Sequence, residues 1–221
     1  MTDPAKTAIA IVLDRSGSMA SCINDTIGGF NTFLETQKAV PGYATLTLVQ
    51  FATGPEEVVH LDRPLDLVPP LTKETYVPGG GTALHDAIGT TVEELGRRLA
   101  AMPEAHRPGK VVVVIITDGE ENSSIKFTGS RIKEMIEEQR KTYNWQFVYL
   151  GANQDAVTVG DSLGMAKGTS AAYSGHNTGG VFRTMSDNMA AYVAAPAYQG
   201  VSKELTFSDE QRADLTAPPS L

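Results

Sequence analysis

Two stretches of the chain are apolar at every position: residues 8–13, Ala-Ile-Ala-Ile-Val-Leu, and residues 111–116, Val-Val-Val-Val-Ile-Ile. Runs of this length and composition suit strands covered on both faces, as in a parallel sheet. Residues 45–51, 58–61 and 146–150 read as three more strands. Only a short link containing Thr53, Gly54 and Pro55 separates the 45–51 and 58–61 strands, which predicts an antiparallel hairpin at a sheet edge.

Between these runs the period changes to that of a helix. Ile23, Ile27, Phe30 and Leu34 fall on one stripe, and Leu84, Ile88, Thr91, Leu95 and Leu99 on another. Ile132, Met135, Ile136 and Tyr143 mark a third helix, and Val181, Met185, Met189 and Tyr192 a fourth behind the cap candidates Asn177 and Thr178. A shorter helix is expected from near Asp155 to Gly164, and residues 169–173 fit a sixth strand. Alternating strands and helices with short turns predict an α/β fold: a doubly wound, Rossmann-like, mostly parallel six-stranded sheet, one antiparallel edge strand, and helices on both faces.

The pattern breaks after Ala195. Residues 196–221 hold a capped helix start at Ser208, with Gln211 three residues on, and then Ala217, Pro218 and Pro219. The chain therefore divides into a domain over 1–195 and a C-terminal appendage over 196–221, partly ordered.

Composition narrows the function classes. With 221 residues, 41% of them hydrophobic, the chain fits one α/β domain with a sizeable core. The net charge of -8 argues against a nucleic-acid partner, which selects for concentrated basic patches. The single cysteine, Cys22, forbids an internal disulfide and suits a reducing cytoplasm; no histidine stands at a recognisable spacing to make it a nucleophile. The first apolar run ends at Asp14, too short for a membrane span or a signal peptide. His60, His85, His106 and His176 show no close metal-ligand spacing.

The chemistry gathers at strand ends. The first strand runs directly into Asp14-Arg15-Ser16-Gly17-Ser18-Met19, which puts a carboxylate and two hydroxyls on a tight turn. The fourth ends in Thr117-Asp118-Gly119-Glu120. In doubly wound sheets the first and fourth strands flank the switch point where ligands bind, so Asp14 and Asp118 are expected to face one crevice. A third loop, Pro78-Gly79-Gly80-Gly81-Thr82, opens the long helix and offers another hydroxyl. Oxygen donors from Asp14, Ser16, Ser18, Thr82 and Asp118, with two negative charges and no sulfur or imidazole, suit Mg²⁺ or Mn²⁺; Ca²⁺ would want more ligands.

The Asp14-x-Ser16-x-Ser18 run, the later Thr82 and the still later Thr117-Asp118-Gly119 together resemble the metal-ion-dependent adhesion site of von Willebrand factor A domains, over about residues 6–195. The resemblance implies that Ser16, Ser18 and Thr82 coordinate the metal, that Asp14 and Asp118 act largely through water, and that a partner protein supplies an Asp or Glu carboxylate. In cytoplasmic bacterial relatives that partner is often an AAA+ ATPase or a component of a stress or assembly system. Arg15, Met19 and Glu120 are candidates for partner contact, although an exposed Arg, a helix-start Met and a solvated Glu are ordinary. Glu121 reads the same way. Residues 151–155 are read as capping the next helix, with lining of the rim as the other reading.

A Mg²⁺-dependent phosphoryl-transfer enzyme is the alternative, since paired aspartates at adjacent strand ends also describe phosphatases. The haloacid-dehalogenase-like class, however, carries a second Asp where this chain has Ser16. A P-loop is excluded because no Lys follows Gly79, Gly80 and Gly81.

Overall fold

A computed structural model describes residues 1–152, 155–195 and 205–217. Its six strands are β1 (Asp3–Asp14), β2 (Tyr43–Phe51), β3 (Glu57–Pro64), β4 (Pro108–Thr117), β5 (Gln146–Ala152) and β6 (Ser170–Tyr173). They form one sheet in the order β3-β2-β1-β4-β5-β6, in which only the β2 and β3 pair is antiparallel. The order reverses between β1 and β4, so the switch point lies where Asp14 and Thr117 end their strands.

Strand alternation divides the core in two. Ile9, Ile11 and Leu13 of β1, Val112, Val114 and Ile116 of β4, and Val148 and Leu150 of β5 face α1 (Ile23–Lys38) and α5 (Thr178–Ala194). Ala8, Ala10, Val12, Val111, Val113, Ile115, Phe147 and Tyr149 face α2 (Leu84–Ala101), α3 (Gly129–Tyr143) and α4 (Ala156–Ser162). Each fully buried Val, Leu or Ile contributes about 1.5–3 kcal/mol, which is why these runs hold no polar position. On the first face α1 and α5 approach closely. Phe30 meets Phe182 edge-on with ring centroids 6.5 Å apart, and a Cβ at Gly29 would lie 2.5 Å from Phe182 Cδ2.

The local stops follow from residue type. Asp155 caps α4 by accepting the Thr158 N–H at 3.0 Å, and Gly164 ends the turn beyond it at φ +80°. Asn177 sits at the N-cap position of α5 but makes no cap bond. Its amide instead donates to the carbonyls of Asp214 and Leu215, at the end of α6 (Asp209–Thr216). Tyr143, expected on a buried stripe, is 59% exposed, because α3 ends there and Asn144 turns away at φ +56°.

Of the 196–221 stretch, residues 205–217 pack into the α1 and α5 face through Leu205, Phe207 and Leu215. Ser208 and Gln211 form the expected capping box, and Arg212 donates to the carbonyls of Phe207, Gly168 and Ser170. Residues 196–204 and 218–221 lie outside the described residues, as do Asn153 and Gln154 of the proposed rim. Among the described residues, no helix is long and apolar enough to cross a membrane.

Candidate metal centre

Asp14 is fully buried at the end of β1, with both oxygens engaged. One accepts the Ser16 N–H at 2.6 Å and the other the Thr117 hydroxyl at 2.6 Å. The Tyr76 hydroxyl fixes the same residue from behind by donating to the Asp14 carbonyl at 2.6 Å. A 3-10 turn over Gly17–Cys22 then carries Ser18 forward. Ser16 Oγ lies 3.1 Å from Ser18 Oγ, and the Ser18 hydroxyl donates to Asp118 Oδ1 at 2.6 Å. The first and third turns therefore meet through side-chain oxygens.

The glycine loop is held between them by its backbone. Gly17 N–H donates to the Gly80 carbonyl at 2.9 Å and Gly79 N–H to the Arg15 carbonyl at 2.7 Å. Gly80 needs its glycine for φ +82°, and Gly81 for space, since a Cβ there would lie 2.5 Å from Ser123 Oγ and 2.8 Å from Asn122 Oδ1. On the other side the Thr82 N–H donates to Asn122 Oδ1 at 2.9 Å, and the Asn122 N–H returns to the Thr82 carbonyl at 3.0 Å. A Cβ placed on Gly119 would lie 2.9 Å from Thr82 Oγ1 and 3.8 Å from Ser18 Oγ, which locates the threonine hydroxyl beside the two other turns.

A second pair of carboxylates braces this arrangement. Glu121 accepts from the backbone N–H groups of Ser123 and Ser124 with one oxygen, and from the His85 N–H and the Ser124 hydroxyl with the other. Asp86, in the first turn of α2, accepts the N–H groups of Ile125, Lys126 and Phe127. Phe127 lies over Gly89, where a Cβ would come within 2.6 Å of its ring. The loop after β4 is thus tied to α2, and α2 carries Thr82 at its entrance.

The two carboxylate pairs differ electrostatically. Burial pushes the Asp14 carboxyl above its ordinary range against three hydrogen bonds that work to lower it, and the Asp118 charge adds to the rise. Burial likewise raises Asp118, with the Ser18 bond opposing. Burial also works to raise Asp86 and Glu121, but their backbone and hydroxyl donors outweigh it and hold both below the usual range. Tyr76 is pushed far above the ordinary phenol range, first by burial, and so remains a donor to Asp14.

Five oxygen-bearing side chains, those of Asp14, Ser16, Ser18, Thr82 and Asp118, therefore gather at the sheet's switch point. Among the described residues no group of three or more His, Cys, Asp or Glu side chains forms a metal cluster, so a cation here would rely on hydroxyls. Two charges and three neutral oxygens form a donor set that fits a hard divalent ion.

The flanking candidates separate. Met19 is fully buried against Cys22 in the α1 and α5 core and offers nothing to a partner; its apolar side chain closes the 3-10 turn from below. Arg15 stays partly exposed, 3.9 Å from Glu57, and Glu120 is exposed beside the turn. Glu121, read from the sequence as solvated, is instead a backbone anchor. Thr117, Tyr76, Asn122 and Asp86 were not read from the sequence as site residues. Only Thr117 stood inside a motif; the others act on backbone groups far away in the chain, which leaves no local signature.

A family model for the von Willebrand factor type A domain matches residues 9–121. The chain belongs to the von Willebrand factor type A domain family, whose members are in general interaction modules rather than enzymes and can bind a divalent metal. No curated protein matches the sequence. Among solved structures it is similar to a von Willebrand factor type A protein from Catenulispora acidiphila, at 16% identity and a TM-score of 0.55 over 85% of this chain and 42% of that one. It is also similar to proximal thread matrix protein 1 from the mussel byssus, at 15% identity and a TM-score of 0.57 over 86% of this chain and 48% of that one. A further structure of that mussel protein, described as having a zinc-occupied adhesion-site motif, matches at 14% identity, with a TM-score of 0.57 and the same coverage. This chain spans less than half the length of these relatives, and the likeness establishes a shared fold.

Proposed function

We propose that the three turns hold one divalent cation, Mg²⁺ or Mn²⁺ before Ca²⁺, and that the chain uses it to bind a partner protein through an Asp or Glu of that partner. The observation that carries this reading is the chain of contacts from Ser16 Oγ to Ser18 Oγ to Asp118 Oδ1, with the Thr82 hydroxyl alongside. Ser16, Ser18 and Thr82 would supply neutral oxygens, and Asp14 and Asp118 the negative charge. When bound, the cation supplies an electrophilic position to which an outside carboxylate can add. Two formal charges from the chain leave that attraction standing, whereas five carboxylates would cancel it.

The chain's own residues set the selectivity. The raised Asp14 and Asp118 carboxyls show that burial disfavours their ionised forms, a cost that a nearby cation would offset. The zinc in the mussel protein belongs to that protein, so Zn²⁺ enters here as a competitor to be tested. A cytoplasmic setting and an AAA+ ATPase or stress-system component as partner rest on family resemblance alone.

A phosphoryl-transfer enzyme is disfavoured by the engagement of Asp14, whose oxygens are both committed to Ser16 and Thr117 and shielded from solvent. Capture of a partner by the purified chain should depend on Mg²⁺, be lost in EDTA, return when Mg²⁺ is restored, and be absent for Asp118→Ala. Capture that ignores EDTA, or metal uptake unchanged in Asp118→Ala, would overturn the reading. Mg²⁺-dependent hydrolysis of phosphate esters that disappears in Asp14→Asn would favour the enzyme.

A further inference from the structure

A second site lies away from the metal turns, under the β2 and β3 hairpin. The pairing of β3 with β2 slips twice, between Leu46 and Leu48 and between Leu48 and Val49, and Asp62 adopts φ +47°, which non-glycine residues seldom do. Side chains hold the kink. The Asp62 N–H donates to Thr47 Oγ1 at 3.1 Å, and its carboxylate pairs with Arg98 Nη2 of α2 at 2.7 Å. Between hairpin and helix is a cavity of about 100 Å³, walled by Val49, Val58, Leu61, Thr91, Leu95 and Arg98. Val58 and Leu61 remain half-exposed beside it, and the irregular edge works against a partner adding a strand there.

Two polar atoms of the wall residues have no hydrogen-bond partner among the described residues. Thr91 is 4% exposed, yet its hydroxyl bonds to nothing; Arg98 commits Nη2 to Asp62 and leaves Nη1 buried and unpaired. A folded chain seldom tolerates two such groups in one place without a function or a missing partner. Both residues fall on one stripe of α2 and line the same cavity. Every charge around the cavity is already paired: Arg98 with Asp62, Glu56 with Lys126 at 3.6 Å, and Glu94 with Arg97 at 2.6 Å. An ionic ligand would find no free counter-charge.

We propose that this cavity binds one small neutral molecule with an aliphatic body and a carbonyl oxygen. The apolar walls take the body, and the Thr91 hydroxyl and Arg98 Nη1–H donate to the oxygen. A 150 Å³ apolar cavity holds benzene, so this volume has room for about four or five heavy atoms. The proposal is independent of the metal turns and stands or falls separately from them.

Butanone is a suitable probe, with butanoate as its anionic counterpart. Titrated into the full chain and followed by methyl NMR, butanone should give saturable shifts at Val49, Val58, Leu61 and Leu95, and butanoate none there. Thr91→Val, which keeps the shape but loses the hydroxyl, should weaken butanone by about three- to tenfold, the effect of one neutral hydrogen bond; Thr91→Ser should retain it. Absence of saturable shifts, equal affinity in Thr91→Val, or a crystal structure with ordered waters satisfying Thr91 and Arg98 and undisturbed by butanone would overturn the proposal.

Discussion

Two pairs of carboxylates occupy the same edge of the sheet and are treated oppositely. Asp14 and Asp118 sit at the ends of β1 and β4, where burial raises them above the ordinary range. Asp86 in the first turn of α2 and Glu121 just beyond β4 are also desolvated but gather backbone N–H donors and are held below it. The second pair is satisfied by the protein itself and serves as bracing. In the first pair burial outweighs the hydrogen bonds, and the hydroxyls of Ser16, Ser18 and Thr82 stand alongside. The contrast distinguishes the bracing carboxylates from those of the proposed metal centre.

If that contrast is sound, removing a brace should damage the fold more than removing a site carboxylate. Asp86→Ala strands three backbone N–H groups, each worth about 1–3 kcal/mol when left unmet, and should destabilise the chain by about 3 kcal/mol or more in thermal or urea unfolding. Asp118→Ala should cost little stability without metal but lower metal affinity by at least about tenfold, as read by calorimetry, since removal even of outer partners of a metal site costs about 10–100-fold. Equal losses of stability in the two variants would erase the distinction.

Acid titration of the metal-free chain sharpens the same comparison. Asp86 and Glu121, with lowered folded values, contribute stability that is present above the unfolded value of about 4 and lost as pH falls through their folded values. Asp14 and Asp118, with raised values, act in reverse. Their ionised forms cost stability at neutral pH, and protonation relieves that cost as pH falls through their folded values toward about 4. Read as differences from the native chain, Asp14→Asn should remove part of the gain on mild acidification, and Asp86→Asn part of the loss below about pH 4. The smallest effect is expected for Gly119→Ala, whose Cβ would crowd the Thr82 hydroxyl at 2.9 Å. Metal affinity should drop severalfold with the unfolding midpoint nearly unchanged.

Much of this was legible in the chain. The two uninterrupted apolar runs became the central β1 and β4 strands, the Thr53-Gly54-Pro55 link became the turn of the antiparallel pair, and the helical stripes fell on the observed helices. The meeting of the three turns was legible because each lies in a short local motif. The braces were not, since Asp86 and Glu121 look like ordinary surface acids until folding places backbone donors from residues 123–127 around them. Met19 was misread for a related reason: one methionine after a polar turn has no periodicity to declare it buried. The docking of Leu205, Phe207 and Leu215 was equally hidden, because three apolar residues in a polar stretch form no stripe of their own.

The most direct test of the central claim is the unfolding midpoint of the purified chain as Mg²⁺, Mn²⁺ or Zn²⁺ is added, compared with Thr82→Ala and Asp118→Ala. A cation that binds only the folded state must stabilise it by mass action, by about 2.7 kcal/mol at a hundredfold excess over its dissociation constant. The account predicts a saturable rise for the native chain, with one ion bound, and a strongly diminished rise in both variants. A midpoint indifferent to every divalent ion, or an undiminished rise when Thr82 and Asp118 are removed in turn, would contradict it.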